Sequence, residues 1–193
     1  MAREKTFDES DMIEKAMHVF WEKGYAATSI SDITEATGVK RGSLYNAYDG
    51  KYDLFMRSLL KYDREQRKQQ LLQLDAVKDP REAIAMFFDY CVKDSLQDPD
   101  KKGCLLVNTA LDYSLHDDEV QKVVSDAMKE LTTFFENQIK RGQENGGIPG
   151  SVEPRPTARA LIALLAGIRV LGRGTFGKTA LHQISDQAKQ LIS

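Results

Sequence analysis

The amino-acid sequence predicts an all-α protein, because its apolar residues repeat with helical spacing and no segment is typical of a strand. Ile13, Met17 and Phe20, for example, recur at intervals of four and three residues. No stretch alternates apolar and polar residues as a half-buried strand does, and no β-branched cluster lies between hairpin turns. The 193 residues are 41% hydrophobic, with 13 Gly and 5 Pro, so we expect a globular chain with a real core.

Charge and cysteine content argue against a strongly basic nucleic-acid-binding chain and against a small disulfide-bonded secreted domain. The chain carries 27 Lys+Arg against 29 Asp+Glu, so any affinity for DNA must come from a local arrangement of charges. Two cysteines cannot form the disulfide framework of a small secreted domain, and the first residues lack the apolar stretch of a signal peptide. The longest apolar run, 160–168, is far shorter than the roughly 20 residues that span a bilayer. We therefore expect the protein in the reducing cytoplasm.

Capping residues divide the first fifty residues into three compact helices. The predicted segments are Asp8 to Gly24, Ser29 to Gly38 and about Arg41 to Tyr48. Phe7 and Met12 stand where a hydrophobic staple would form, and Asp32 lies three residues after Ser29, as in a capping box. Gly38 occupies the position that favours a left-handed backbone at the end of a helix.

The remaining sequence predicts longer helices. After Asp49-Gly50 a fourth helix begins, and later segments are predicted at Pro80 to Leu96, Cys104 to Tyr113, Glu119 to Gln143, Thr157 to Leu171 and Lys178 to Ile192. No internal repeat, heptad array or low-complexity tract interrupts this pattern.

The segment from Thr28 to Lys51 is the most specific part of the sequence. Two short helices separated by a turn at Gly38, the second with an inward-facing Leu44, have the spacing of a helix-turn-helix motif. The second helix of that motif places its first turn in the major groove, where the base pairs are distinguishable. Here that turn is Lys40-Arg41-Gly42-Ser43.

These residue types suit contact with DNA. Arg41 can donate two parallel hydrogen bonds to a guanine edge, and Lys40 can bind phosphate or guanine. Ser43 can contact either kind of group, while Gly42 allows the backbone to approach the groove closely. No acidic residue occurs between Ala36 and Tyr48, so the predicted surface is locally basic.

Residues Phe20 to Phe55 resemble the N-terminal domain of TetR-type transcriptional repressors. The likeness covers about the first sixty residues and includes the helix lengths, the turn glycine and the Leu44-Tyr45 pair. The rest of the chain resembles that family only as a string of helices. The resemblance implies a DNA-binding domain at 1–50 and an effector-binding and dimerisation domain at 51–193, with a connecting helix at about 51–72.

The resemblance also implies a role for each residue of the motif. The implied DNA-binding residues are Thr28, Lys40, Arg41, Gly42, Ser43, Tyr45 and Lys51. Thr28, Lys51 and the Tyr45 hydroxyl would contact phosphates, whereas Arg41, Gly42 and Ser43 would face bases with Lys40 beside them. Similar patterns occur in unrelated helical proteins, where Tyr45 or Tyr48 would be a core residue, and we interpret Tyr48 as core.

Two copies of so small a DNA-reading unit are needed for adequate specificity, which predicts a homodimer on a palindromic double-stranded DNA operator. The last two helices carry more apolar surface than a terminal hairpin needs, and in similar repressors they form a four-helix interface with a symmetry mate. The predicted interface residues are Leu161, Leu164, Leu165, Ile168, Leu181, Ile184 and Ala188. A single monomeric core is the alternative.

Members of this family usually bind a small-molecule effector among the middle helices. The candidate lining mixes aromatic with polar side chains, as ligand sites do: Phe87, Tyr90, Cys91, Cys104, Asn108, Leu111, Asp112, Tyr113, His116 and Phe134. Most of these residues must belong to the core, so only a minority should line a cavity.

Cys104 has two interpretations. It follows Lys101-Lys102-Gly103 at a predicted helix start, where neighbouring cations and the helix terminus would increase thiolate reactivity. Some proteins similar to this family sense electrophiles or oxidants through a cysteine. Alternatively, Cys104 is a small packing residue beside Leu105 and Leu106, since free cysteines are commonly buried.

Other apparent motifs do not support an enzyme, a metal or a cofactor. Gly172 to Gly177 matches the dinucleotide-binding pattern but follows a helix instead of a strand. No Glu stands three residues before any of the three histidines, and no Cys-x-x-Cys or nucleophile elbow occurs. The sequence thus predicts a homodimeric DNA-binding repressor released by a small-molecule or electrophile signal. A helical protein-interaction module and, remotely, a small-molecule-modifying enzyme are the alternatives.

Overall fold

The structure of the protein is a computed structural model in which residues 8–193 are described. Phe7, and with it the predicted hydrophobic staple, lies outside these residues. The described residues form helices joined by loops and contain no strand, so the all-α prediction is confirmed. It forms two compact units, one ending at Glu65 and the other comprising Gln66–Ser193. The division falls within the connecting helix predicted at about 51–72.

The N-terminal unit, from residue 8 onward, contains four helices: α1 (Glu9–Ala27), α2 (Ile30–Thr37), α3 (Arg41–Ala47) and α4 (Lys51–Tyr62). Helix α1 packs against both α2 and α4. The buried ring of Phe20 meets Phe55 edge-on with centroids 5.2 Å apart, and Tyr25 lies 4.8 Å from the same Phe55 ring. Aromatic pairs in this geometry add to the stability that burial alone provides.

The predicted caps of these helices are present. The Asp8 carboxylate accepts a hydrogen bond from the Ser10 amide at 2.8 Å, and Ser29 and Asp32 form a reciprocal capping box. Gly38 ends α2 with φ of +71°, in the left-handed region. Gly24 also has a positive φ, of +76°, and interrupts α1 where a stop is predicted, but a further turn continues to Ala27.

The C-terminal unit contains α5 (Gln69–Asp75), α6 (Pro80–Gln97), α7 (Leu105–Leu111), α8 (Asp118–Glu144), α9 (Pro154–Leu171) and α10 (Lys178–Gln190). A short 3-10 turn, Tyr113–Leu115, follows α7. The core is built around Phe88 and Phe135, and Phe87 meets Phe135 edge-on at 5.0 Å. Helices α9 and α10 contribute their buried faces to this same core.

A π-helical turn, Asp63–Lys68, separates α4 from α5 and was not predicted. Such turns are rare and cannot be recognised from hydrophobic spacing, because they change the hydrogen-bond register without changing residue type. The buried Arg67 guanidinium donates to a carboxylate oxygen of Glu130 on α8 at 2.7 Å. Asp75, at the end of α5, accepts from Gln138 and Arg141 of α8.

A search of residues 8–193 found no helix long and apolar enough to cross a membrane. Within the same residues, no group of three or more His, Cys, Asp or Glu side chains could hold a metal ion.

Candidate functional site

Helix α3 shows most of its surface to solvent. Of its seven residues only Leu44 is buried, with 0% of its surface exposed. Arg41, Gly42 and Tyr45 are all exposed, and their spacing of three and four residues makes them neighbours on the helix surface. The structure therefore brings these three predicted DNA-binding residues together on one accessible face.

The two tyrosines of this segment differ in their surroundings. The Tyr45 ring is 49% exposed, so Tyr45 is not a core residue. Tyr48, just beyond α3, is 3% exposed, which confirms its interpretation as core. Burial raises the pKa of the Tyr48 phenol to about 12, and the Arg57 guanidinium lies over its ring at 5.4 Å.

The start of α3 carries two positive charges, on Lys40 and Arg41, that no nearby carboxylate among residues 8–193 compensates. Lys40 is the N-cap residue, is exposed and makes no side-chain cap hydrogen bond. Helix α3 contains no acidic residue, and neither Lys40 nor Arg41 forms an ion pair with any described residue. Both cations are therefore available to an external anion.

The side chains of Thr28 and Lys51 both donate hydrogen bonds to backbone carbonyls near the end of α1. The Thr28 side chain is buried and its hydroxyl donates to the Gly24 carbonyl at 2.7 Å. The Lys51 ammonium donates to the carbonyls of Tyr25 and Thr28, each at 2.9 Å, and lies 4.4 Å from the centroid of the Tyr25 ring. Lys51 thus fastens the end of α1 to the start of α4, a role for which sequence spacing gave no signal.

An ion pair compensates the charge of Asp32, one of the two acidic residues of α2. The Lys23 ammonium lies 2.6 Å from Asp32. Hydrogen bonds from Lys23, and then from Ser29, lower the pKa of the Asp32 carboxyl well below its usual range. Its negative charge is therefore permanent near neutral pH but is balanced by Lys23, which limits its repulsion of a nearby anion.

The ten predicted effector-lining residues do not converge on one cavity. Phe87 and Cys91 are buried in the core, whereas Leu111, Asp112 and Tyr113 are exposed. Two clefts are present in this unit instead. The larger, of about 470 Å³, we call the α8–α9 cleft, and its lining includes Tyr113, Val124, Met128, Thr132, Arg155 and Arg159.

The second, the α5–α8 cleft, has a volume of about 360 Å³ and is lined by residues that include Leu71, Leu72, Asp75, Glu130 and Phe134. Of the predicted residues, Tyr113 lines the first cleft and Phe134 the second. The cationic side chains of the α8–α9 cleft were missed, because charged residues on a helix surface are ordinarily solvated.

The two cysteines have different environments. Cys91 is buried in the core, and burial raises the pKa of its thiol to about 11. Cys104 is the N-cap residue of α7 and is partly exposed, although Leu105 and Leu106 beside it are buried. Reagents can therefore approach Cys104 more readily than Cys91.

Most of the predicted dimer-interface residues belong to the core of their own chain. Those buried are Leu161, Leu165, Ile168, Leu181 and Ala188. Only Leu164 and Ile184 are partly exposed. A helical period of apolar residues identifies the side of a helix that is buried, but it does not say whether the same chain or a second copy covers it.

An exposed short helix with a basic first turn, preceded by a capped helix and a left-handed glycine turn, is the arrangement of a helix-turn-helix DNA-binding regulator. Residues 12–57 match the family model described as bacterial regulatory proteins, tetR family. Residues 80–186 match that of the tetracyclin repressor-like C-terminal domain. The chain belongs to the TetR family of DNA-binding transcriptional regulators, which are not enzymes.

Similar proteins agree with this membership. The chain is 32% identical over 151 residues to an uncharacterized HTH-type transcriptional regulator, YezE, of Bacillus subtilis (strain 168), covering 78% of this chain and 77% of that one. It is 28% identical to the HTH-type transcriptional repressor ComR of Escherichia coli (strain K12), covering 98% and 90%.

A solved structure with a similar fold contains DNA. It is a cysteine mutant of the TetR family regulator CifR, complexed with a 26-base-pair double-strand operator, at 26% identity and a TM-score of 0.84. The match covers 97% of this chain and 98% of that one. The predicted family and regulatory function are thus confirmed.

Proposed function

We propose that this regulator is a homodimeric repressor that binds a palindromic operator and leaves it when a small molecule or electrophile acts on its larger domain. Residues 1–50 form the DNA-binding domain in this proposal, and 51–193 the effector-binding and dimerisation domain. The observation that carries it is the exposed basic face of α3, a helix of which Leu44 is the one buried residue. A protein that binds operator DNA in a bacterium acts in the cytoplasm.

The residues of the motif divide into base contacts and phosphate contacts. Arg41, Gly42 and Ser43 lie at the start of α3, where side chains of a recognition helix reach the base edges. The phosphate contacts are the Tyr45 hydroxyl and Lys51, and Lys40 can bind either a phosphate or a guanine. Thr28 was also predicted to contact a phosphate, but its side chain is buried and its hydroxyl donates to the Gly24 carbonyl, so we assign it no direct contact. The Lys51 ammonium already donates to the carbonyls of Tyr25 and Thr28, so its remaining proton would serve the phosphate.

Dimerisation uses the sides of α9 and α10 that their own chain leaves uncovered. The residues there are small or apolar and repeat with helical spacing: Ala160, Leu164, Gly167 and Leu171 on α9, Ile184 on α10, and Leu191 at its C-cap. Small residues allow close helix packing, and a two-fold axis would pair this surface with itself.

Sedimentation analysis tests the dimer. Leu164→Glu would place a charge in the self-paired surface, so we expect it to give monomers at concentrations where the parent chain is dimeric. Leu111→Glu is the matched control, because Leu111 is an exposed leucine outside this surface. A monomeric parent chain would refute the homodimer.

The repressor leaves its operator if the effector binds the DNA-free conformation more tightly than the DNA-binding conformation. A small molecule would bind one of the clefts of the larger domain, and an electrophile would modify Cys104. If Cys104→Ser leaves release by an oxidant or electrophile unchanged, the covalent branch of the proposal is wrong.

DNA binding is measured by fluorescence anisotropy with labelled DNA that flanks the protein's own gene. Several phosphate contacts should make affinity fall steeply between about 50 and 200 mM salt. An interaction module without DNA binding would show no such salt-dependent affinity. Absence of saturable binding at low salt, with a folded protein, would overturn the proposed operator contacts.

A further inference from the structure

The α8–α9 cleft combines apolar with cationic side chains. Val124 and Met128 of α8 line it together with the half-exposed Tyr113 ring. Its three cations are Lys129, which forms an ion pair with Asp126 at 3.6 Å, and Arg155 and Arg159 of α9. The volume of about 470 Å³ is within the range of roughly 300 to 1,000 Å³ of small-molecule sites.

The two arginines occupy positions that helix energetics disfavour. Arg155 is the second residue of α9 and Arg159 follows one turn later, so both lie on one face near the positive end of the helix dipole. The first turn contains no acidic residue, and Glu153 makes no side-chain cap. Two like charges four residues apart at this end destabilise the helix slightly, and a bound anion would reverse that effect.

Nothing within residues 8–193 pairs with these guanidinium groups. Neither Arg155 nor Arg159 has an ion pair or a hydrogen bond to a described residue. Glu136, also in the cleft, has its pKa lowered chiefly by a 2.6 Å hydrogen bond from Lys140, and only to a smaller extent by the two arginines. The negative charge of Glu136 is therefore already compensated by the Lys140 ammonium.

The α5–α8 cleft provides a contrast within the same unit. Its Asp75 carboxylate accepts from Arg141 at 3.1 Å, and Glu130 pairs with Arg67 at 2.7 Å. Both carboxylates of that cleft are thus compensated inside the protein. The α8–α9 cleft, by contrast, is lined by two arginines that have no ion pair with a residue among 8–193.

We propose that the α8–α9 cleft binds an amphipathic carboxylate. Arg155 and Arg159 would hold the carboxylate, since guanidinium groups donate parallel hydrogen bonds to both of its oxygens. The apolar portion would lie on Val124, Met128 and Tyr113. As the class of effector, this inference rests on the proposed function, but the binding itself can be tested without DNA.

Isothermal titration calorimetry of the full chain with decanoate tests the site directly. We expect decanoate to bind saturably. Decanol, which lacks the charge, should bind at least about tenfold more weakly than decanoate. The double variant Arg155→Gln with Arg159→Gln should weaken decanoate binding by at least about tenfold. Arg81→Gln is the matched control, because Arg81 follows Pro80 at the start of α6 as Arg155 follows Pro154 in α9.

Thermal unfolding of the double variant checks that it folds, and we expect its Tm to be unchanged or higher, since two charges leave the wrong end of a helix. Lack of decanoate binding, or equal binding by the double variant, would overturn the site. The site would also be overturned if decanoate had no effect on the parent chain and the double variant failed to self-associate. The arginines would then belong to an interface between copies of the chain.

The same probe separates this inference from the proposed function. Decanoate that binds the cleft and also releases DNA in the anisotropy assay supports both. Binding without release keeps the cleft site and overturns its role as effector site. If decanoate releases DNA from the double variant as well as from the parent chain, the effector binds elsewhere and the cleft assignment is overturned.

Discussion

The guanidinium carbon of Arg41 lies 5.7 Å from the centroid of the Tyr45 ring, one turn further along α3. At this distance the cation and the ring attract each other. The contact joins the side chain proposed to read a base to the one proposed to reach a phosphate. It also restricts both long side chains before DNA arrives, which reduces the entropy lost on binding.

Arg41→Ala should relax base preference at one position of the operator and cost about 1 to 3 kcal/mol of binding free energy, because a bidentate contact to a guanine is removed. Anisotropy titrations against operators altered one base pair at a time measure this loss. A variant that weakens every sequence equally would contradict the base-reading role.

Tyr45→Phe retains the ring beside Arg41 and removes only the hydroxyl. We expect it to weaken binding to all operator sequences by a similar factor, because phosphates carry no sequence information. The same titrations decide, with Arg41→Ala as the comparison. Identical sequence profiles for the two variants would show that the two residues do not have separate roles.

Gly42→Ala should separate stability from binding. Apart from its chain neighbours and the backbone of its own helix, a Cβ at Gly42 would meet no atom within 4 Å, and replacing a helical glycine by alanine stabilises a helix by about 1 kcal/mol. We nevertheless expect operator affinity to fall about tenfold, since the methyl group would enter the space of the groove. Urea unfolding and anisotropy report the two effects, and unchanged affinity would refute close backbone approach.

Lys51 and Lys40 should respond differently to replacement by methionine. Lys51→Met leaves two carbonyls without their donor and should lower the free energy of unfolding by about 1 to 3 kcal/mol, besides weakening DNA binding. Lys40→Met should weaken DNA binding but leave stability nearly unchanged, since Lys40 makes no cap hydrogen bond. Equal stability of both variants, measured by urea unfolding, would contradict the fastening role of Lys51.

The stabilising effect of Asp32 should depend on pH. Folding lowers its pKa, so the contribution of the carboxylate is fully present above the ordinary value of about 3.9 and is lost as the pH falls through the lower folded value. Asp32→Asn should therefore destabilise the protein near pH 7 and make less difference below about pH 4. Urea unfolding over this range tests the sign, with Asp49→Asn as an exposed control that should show little change.

Thiol titration should distinguish the cysteines. Because burial raises the pKa of Cys91 to about 11, its thiol should not react with an aromatic disulfide reagent at pH 8 while the protein is folded. The parent chain and Cys91→Ser should then show the same fast reaction, and Cys104→Ser should lose it. A fast reaction that survives in Cys104→Ser would show that the core opens at Cys91.

Local signals made the N-terminal motif predictable. Ser29, Asp32 and Gly38 act through neighbours within a few residues, so their caps and turn can be derived from spacing. The hydrogen bonds of Lys51 to carbonyls 25 and 28 join residues more than twenty positions apart. No periodicity encodes such a contact, and it emerges only when α1 and α4 pack together.

The larger domain was less predictable for the same reason. Apolar spacing correctly identified buried positions such as Leu161 and Ile168, but their partners turned out to be residues of the same chain. Aromatic composition pointed to Phe87 as a cavity residue, whereas dense packing placed it in the core. The volume left between helices depends on how side chains fit together, which a linear pattern does not specify.

Leu44 is the one buried residue of α3, so the other six residues of that helix add little to the core of the domain. Substitutions among them can alter which nucleotides are preferred while the domain keeps its shape. A lineage carrying this chain could thus acquire new target genes through changes in half a dozen codons, and a protein engineer could follow the same route.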